Sequence, residues 1–257
     1  MTERINDILQ IPERCLLGRK LPKTFFKRNF DLTATEKKLL DDHGTVTAID
    51  WLAVVSPANA NISKFEAGQY LYEEVQVMCV QTSANDFDKN APKIAELVQK
   101  YIPYPIVLCV YHDLGFVLNT CDKRINQNDN TRRTIEQRYF SEVIDVGNIV
   151  GTQGIFMDNL AFGKLDKTNL KTYYDAYSQA IIALQASIHS GTYTPRSKDR
   201  SDADLQTLQK MQTLQNEIVT LQSLAKKETQ LNQQVAINIQ VQEKRKEIQQ
   251  LKTLITA

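Results

Sequence analysis

The chain has 257 residues, 42% of them apolar and 24% charged, with a formal net charge of +1. This is ordinary globular composition, sufficient for one generous domain or one domain with an extension. The near-zero charge excludes a global signal for nucleic acid or membrane, so any nucleic-acid surface must be a local patch. The four cysteines, Cys15, Cys79, Cys109 and Cys121, form no CxxC pair. Cys79 and Cys109 lie inside apolar runs, where a thiol acts as a small hydrophobe, and free thiols in a reducing compartment are expected. Met1 to Gln10 lacks the apolar core of a signal peptide, and the apolar runs are too short to span a bilayer. The expected location is the cytoplasm, with no membrane contact.

In chain order, Arg4 to Gln10 predicts a short helix. Arg19 to Phe26 is expected to be extended, because a residue before proline avoids the helical region. Thr33 is set to cap a helix over Ala34 to Asp42, ending at Gly44. Thr45 to Val55 predicts a strand, stopped by Ser56-Pro57. Tyr70 to Gln81 alternates at Val75, Val77 and Cys79, the pattern of one strand with a wetter face. Asp88 to Tyr101 predicts an amphipathic helix that Pro103 stops. Tyr104 to Tyr111 is a continuous apolar run, the mark of a central strand buried on both faces. Gly115 to Thr120 follows as a hairpin partner through His112-Asp113, then a strand over Ile135 to Val146 and a helix over Leu170 to His189 ended by Gly191. This order predicts an α+β fold, a mixed β-sheet with packed helices.

All nine glycines and all seven prolines precede Arg196, and no aromatic residue follows it. The composition divides the chain into a domain at 1–195, a charged linker at 196–204 with cap types at Ser201 and Asp202, and a helical, coiled-coil tail at 205–257. Ile218, Leu221, Leu224, Ala225, Leu231, Val235 and Ile239 lie near one heptad seam, and Val241, Ile248, Leu251 and Ile255 on another. The phase breaks near residue 240. A straight helix from Ser201 would run to roughly 80 Å. The alternative is a hairpin bent within the polar stretch Thr229 to Asn238. A long helix with one thin seam is marginal alone, so the tail is expected to be an oligomerisation or docking arm through Ile218, Leu221, Leu224, Leu231, Val235, Ile248 and Leu251. A helix that only packs back on its own chain is the plainer alternative.

The glycines form neither GxGxxG nor GxxxxGK[ST], and GxSxG is absent. His43 and His189 each sit beside a glycine at a helix end, and His112-Asp113 reads as a turn. The enzyme candidate is a divalent-metal nuclease with a degenerate restriction-endonuclease-like core. Such a site needs carboxylates on adjacent strands to hold Mg²⁺ and a lysine to activate water. Asp50 on one strand, with Glu73 and Glu74 opening another, supplies the carboxylates, but Gln76 stands where the lysine belongs. Paired glutamates at a strand start are otherwise a solvated edge. With no metal site beyond this, the expected cofactor is none, or Mg²⁺ for the nuclease. Two basic clusters, Arg19, Lys20, Lys23, Lys27 and Arg28, then Lys123, Arg124, Arg132, Arg133 and Arg138, could neutralise phosphates. Aromatics accompany them at Phe25, Phe26, Phe30 and Tyr139. The candidate nucleic-acid contacts are Lys23, Lys123, Arg124, Arg132 and Arg133, and the alternative is solvated loops.

Pro12-Glu13-Arg14-Cys15-Leu16, Leu21-Pro22-Lys23, Ile49-Asp50-Trp51, Glu73-Glu74-Val75, Ile102-Pro103-Tyr104-Pro105, Lys123-Arg124, Ala183-Leu184-Gln185-Ala186 and, in the tail, Lys227-Glu228-Thr229-Gln230 and Val235-Ala236-Ile237-Asn238 together form a recognisable pattern. Nearly the whole chain resembles the bacterial DUF4391 family. The family commonly has Val-Glu-Leu-Asn in the tail, so Ala236-Ile237 is a departure. The resemblance implies genes beside helicases and DNA methyltransferases in restriction-like or antiphage loci, and hence an accessory or adaptor subunit with those partners. It brings no catalytic residues with it. The combined expectation is an interaction subunit, with homo-oligomerisation and DNA contact, in preference to a free-standing enzyme.

Overall fold

Apolar runs between Leu16 and Asp145 pair into one mixed sheet, and helices cover both of its faces. The computed structural model describes residues 1–41, 45–129, 131–149 and 151–256. His43, Gly44 and Asn130 lie outside the described residues. The chain divides into two compact units, Met1–Ile181 and Ile182–Ala257.

The first unit opens with α1 (Thr2–Leu9), a 3-10 turn at Glu13–Cys15, β1 (Leu16–Lys20), α2 (Lys23–Asn29) and α3 (Ala34–Leu39). Then come β2 (Val46–Val55), α4 (Pro57–Ala60), β3 (Phe65–Ala67), β4 (Tyr70–Tyr72), β5 (Val75–Thr82), α5 (Phe87–Tyr101), β6 (Ile106–Tyr111), β7 (Gly115–Ile125), β8 (Arg133–Phe140), β9 (Ile144–Asp145) and α6 (Thr152–Asp158). α7 (Leu170–Ser190) follows, and its chain passes from the first unit into the second. The sheet order is β1-β2-β5-β6-β7-β8, with β9 also on β7. Only β5 and β6 run parallel among the described pairs, joined by the α5 crossover. The fold is therefore α+β with a mixed sheet, as expected.

Several boundaries differ from the expectation. Pro22 is the cap of α2, not part of an extended run: proline restricts Leu21 before it, while its own φ of −68° suits a helix entrance. Burial of Phe26 then holds the turn. Thr33 and Glu36 form the complete capping box of α3. The segment from Tyr70 to Gln81 is two strands, not one. β4 pairs with β3 in a separate ribbon, and Glu73 and Glu74 fall in the connection before β5. β5 has no wet face: its residues are buried except the half-buried Gln81, and even Gln76 is fully buried. Ile135 to Val146 is likewise two strands, which pair with different ends of β7. All four cysteines are free and buried.

On one face of the sheet, Phe26, Leu39, Ile94, Leu97 and Val98 from α2, α3 and α5 pack on Ile49, Met78, Val80 and Leu108. On the other, α7 sets Ser178 2.8 Å from Thr120, and the Tyr174 hydroxyl accepts from the Cys121 amide at 2.9 Å. Two buried amides tie α5 to the sheet. Gln99 Nε2 donates to the Ile106 carbonyl and to Asn119 Oδ1, and Asn119 Nδ2 donates to the Tyr139 carbonyl at 2.8 Å.

The second unit holds the end of α7 with α8 (Lys198–Lys227) and α9 (Leu231–Thr256). The tail is a helical hairpin. Lys210 pairs with Glu247 at 2.7 Å and Lys244 with Glu217, so the two helices run antiparallel. The break falls at Glu228–Gln230, where Glu228 Oε1 accepts from the Gln230 amide. The expected linker at 196–204 is mostly helix. Ser197, not Ser201 or Asp202, is the cap, and Arg200 reaches Asp204 one turn on at 2.9 Å. The unit boundary falls inside α7 and not at 195, because Ala186 packs with Met211, Leu214, Leu251 and Ile255.

Folding back consumes part of the expected seam. Ile218 is 2% exposed and Leu251 9%, whereas Leu231 is 71% and Val235 50% exposed. Ile248 packs on the hairpin interior, Leu221 is half-buried and Leu224 is exposed. Among the described residues no helix is long and apolar enough to cross a membrane. Ile218→Ala should lower hairpin stability by about 2–5 kcal/mol, the usual cost of emptying a packed site, while Leu231→Ala should change it by under about 0.5 kcal/mol. Urea unfolding followed by helical circular dichroism measures both, and equal losses would contradict this seam.

Candidate functional site

The carboxylates of the nuclease reading do not meet. Asp50 lies opposite Cys79, and Trp51 opposite Met78, so Asp50 and Trp51 point to different faces of the sheet. Gln76 shares the face of Met78 by strand alternation, and its Nε2 donates to Glu74 Oε1 at 2.6 Å. Asp50 therefore stands on the other face from Glu74. It is also five residues from Val55, which pairs with Val75, roughly 16 Å along the strand. Burial and the neighbouring Glu73 charge raise the Glu74 carboxyl above its ordinary value, while Gln76 draws it down. Among the described residues no group of three or more His, Cys, Asp and Glu is placed to hold a metal ion.

The basic candidates separate as well. Lys23 Nζ donates to the Asp41 and Val46 carbonyls. Arg124 is paired with Glu136 at 2.9 Å and bonds Gln69. Lys123 is 5% exposed and its ammonium donates to the Ile102 and Tyr104 carbonyls, both at 2.8 Å. A buried lysine held by carbonyls is an internal tie and cannot reach a phosphate. Arg132, which pairs with Asp129 at 3.1 Å, and the half-buried Arg133 both line a cleft of about 810 Å³ in the first unit.

The floor of this cleft is Trp51, Gln76 and Met78 from β2 and β5. Its walls are Phe25 and Phe30 around α2, Lys100 to Tyr104 at the end of α5, and Asn126 with Thr131 to Arg133 between β7 and β8. Internal ties fix each wall. The Trp51 indole donates to Gln76 Oε1, which Glu74 anchors in turn. Phe30 stacks on Tyr101 with centroids 4.8 Å apart and planes at 28°. The Tyr101 hydroxyl donates to Glu36 Oε2 at 3.0 Å, and Lys100 pairs with Glu36 Oε1 at 2.8 Å. Burial opposes ionisation of Glu36, but hydrogen bonds from Lys100, Thr33 and Tyr101 outweigh it and hold its carboxyl at about 2. The turn Ile102-Pro103-Tyr104-Pro105 hangs from Lys123, leaving Tyr104 38% exposed.

The arrangement offers flat aromatic surfaces, three cations and neutral amides in one concavity. Sequence reasoning found Arg132 and Arg133 and noted Phe25 and Phe30 beside the basic clusters. It missed Trp51, Lys100 and Tyr104. The available signal was the placement of Tyr104 between two prolines, which bars a helix there; the apolar run instead drew Tyr104 into the expected strand, which begins at Ile106. Phe26 and Tyr139, noted with them, are core residues. His189 sits in the last turn of α7, as expected of its place before Gly191.

Burial pushes the Lys123 ammonium down to about 8, and Arg133 adds to the effect. Between that value and the ordinary 10.5 the unfolded chain binds more protons at this site than the folded one. Stability from Lys123 therefore rises with pH across that window. In parallel urea unfolding, the native chain should gain on Lys123→Met as pH is raised from about 8 to about 10.4. A difference that stays flat would contradict the buried charge.

A family model described as a domain of unknown function, DUF4391, matches residues 9–248 of the chain. No curated protein matches the chain, and no solved structure matches it.

Proposed function

The chain belongs to the DUF4391 family, and on that premise we propose that it is an accessory subunit of a DNA-targeting, restriction-like or antiphage complex. It assembles through its C-terminal helices and contacts nucleic acid through the loop between β7 and β8. The observation that supports assembly is the apolar row left on α9. Leu231, Val235 and Ile239 recur every fourth residue on one face and are 71%, 50% and 55% exposed. Leu224 of α8, near the turn of the hairpin, adds a further exposed leucine.

Apolar groups at helical spacing gain by joining a matching stripe, since each leucine or valine removed from water contributes about 1.5–3 kcal/mol when fully buried. In this reading the hairpin completes a coiled coil with another chain, and its own interior residues Ile218 and Leu251 hold it in register. The partners are helicase and DNA methyltransferase subunits, or a second copy, working in the cytoplasm. Arg132 and Arg133 supply the phosphate contacts, which salt would weaken.

A Leu231→Glu, Val235→Glu, Ile239→Glu triple variant should keep its helical content and lose assembly, because no buried contact of the hairpin is removed. Light scattering on the chain alone, and co-purification with those subunits, read the outcome. Assembly at native strength in the triple variant would overturn the role of the stripe.

A further inference from the structure

We propose that the aromatic cleft of the first unit is a binding site for an unpaired nucleobase together with its flanking phosphate. It deepens the nucleic-acid contact proposed above, and rests on that reading only in sharing Arg132 and Arg133. Three features point to this ligand chemistry.

The first is the pairing of flat rings with recessed depth. Trp51 lies in the floor and Tyr104 stands half-open on the rim. A base inside a duplex has both faces covered by its neighbours, so only an unpaired base can present a face to such rings. Each base stacked on an aromatic side chain contributes about 1–3 kcal/mol and any base sequence can do so.

The second is charge. Lys100, Arg132 and Arg133 line the cleft with one lining carboxylate, Asp31; Lys100 is already matched by Glu36, so contact with an anion falls to the two arginines. Arg132 stands 76% exposed beside Asp129, positioned to exchange a solvent-screened pair for a phosphate. An acidic peptide would satisfy the cations but would leave the rings without a flat partner. A nucleotide satisfies both from one molecule.

The third is rigidity. The indole is fixed by Gln76, Tyr101 by Glu36 and Phe30, and the Tyr104 turn by Lys123. A site whose rings are already held loses little freedom on binding. The volume, about 810 Å³, lies within the range of small-ligand sites, roughly 300–1,000 Å³. Asn126 and Thr131 line it as well and order its edge: the Thr131 hydroxyl donates to Asp129, and the Asn126 amide bridges Asn128 and Thr134.

Trp51 is the only tryptophan of the chain, so its fluorescence reports on this cleft alone. The full chain is titrated at low salt with short oligothymidylate, with thymidine monophosphate, and with a duplex containing the same strand. Quenching by the oligonucleotide assigns the ligand to a strand, and equal quenching by the monophosphate assigns it to a free nucleotide; both support the site. Tyr104→Ala should weaken the quenching ligand roughly 5- to 150-fold, the equivalent of one stacked base, and Tyr104→Phe should restore it. Tyr104 is exposed, so neither change threatens the fold. The site is overturned if neither single-stranded ligand quenches Trp51, if the duplex quenches as strongly as the strand, or if Tyr104→Ala binds as tightly as the native chain. Assembly of the Tyr104→Ala chain, measured in parallel, separates loss of the cleft from loss of the hairpin function.

Discussion

A buried ammonium on two backbone carbonyls governs the architecture of the first unit. Lys123 sits near the far end of β7, just past an irregularity in its pairing with β8, and reaches across to Ile102 and Tyr104 where α5 ends. Those carbonyls lie just past the helix, at its cap Ile102 and in the turn beyond, where no helical partner is left for them. The two prolines that follow cannot donate and prevent the helix from continuing. Without the lysine the turn would carry unsatisfied acceptors beside the sheet, at a cost of about 1–3 kcal/mol each. With it, the strand, the helix and the turn are fixed to one another, and the depressed Lys123 titration reflects the burial that this requires.

The other ties of the cleft follow the same logic. Glu36 is at once the third residue of a capping box and the acceptor for Lys100 and Tyr101, so the start of α3 and the end of α5 share one carboxylate. Gln76 is a buried amide between an indole and a carboxylate. At the position where a nuclease core would need a lysine, this chain has a structural link that fixes a tryptophan. The polar residues that looked like chemistry are thus employed in holding aromatic surfaces still. The second unit separates its apolar residues in a comparable way: half of the seam closes the hairpin, and a row on α9 is left at the surface.

The large elements were legible in the sequence because their signals are local. The apolar run at Ile106–Tyr111, the helices at Phe87–Tyr101 and Leu170–Ser190, and the change of composition at Arg196 each depend on neighbours in the chain. The Thr33 cap was readable for the same reason. What could not be read depended on contacts distant in sequence. Lys123 belonged by its neighbours to a basic cluster, and only the packing of α5 against β7 makes it internal. Asp50 lies on a strand as expected, but Glu74 falls in the connection before β5, and strand register, which the pattern does not fix, decides how far apart they stand. In the tail the seam changes phase near residue 240, whereas the helices part at Glu228–Gln230. Its resolution into a hairpin broken at Glu228–Gln230 needed the pairing of Lys210 with Glu247 and Lys244 with Glu217.

We propose above that the turn held by Lys123 and the loop entering β8 form one nucleic-acid surface. Amide hydrogen exchange of the full chain, with and without a saturating single-stranded oligonucleotide, tests it at the backbone. Slowed exchange is expected at residues 100–104 and 131–133, with little change along α7. Protection confined to other segments, or none at all, would contradict it.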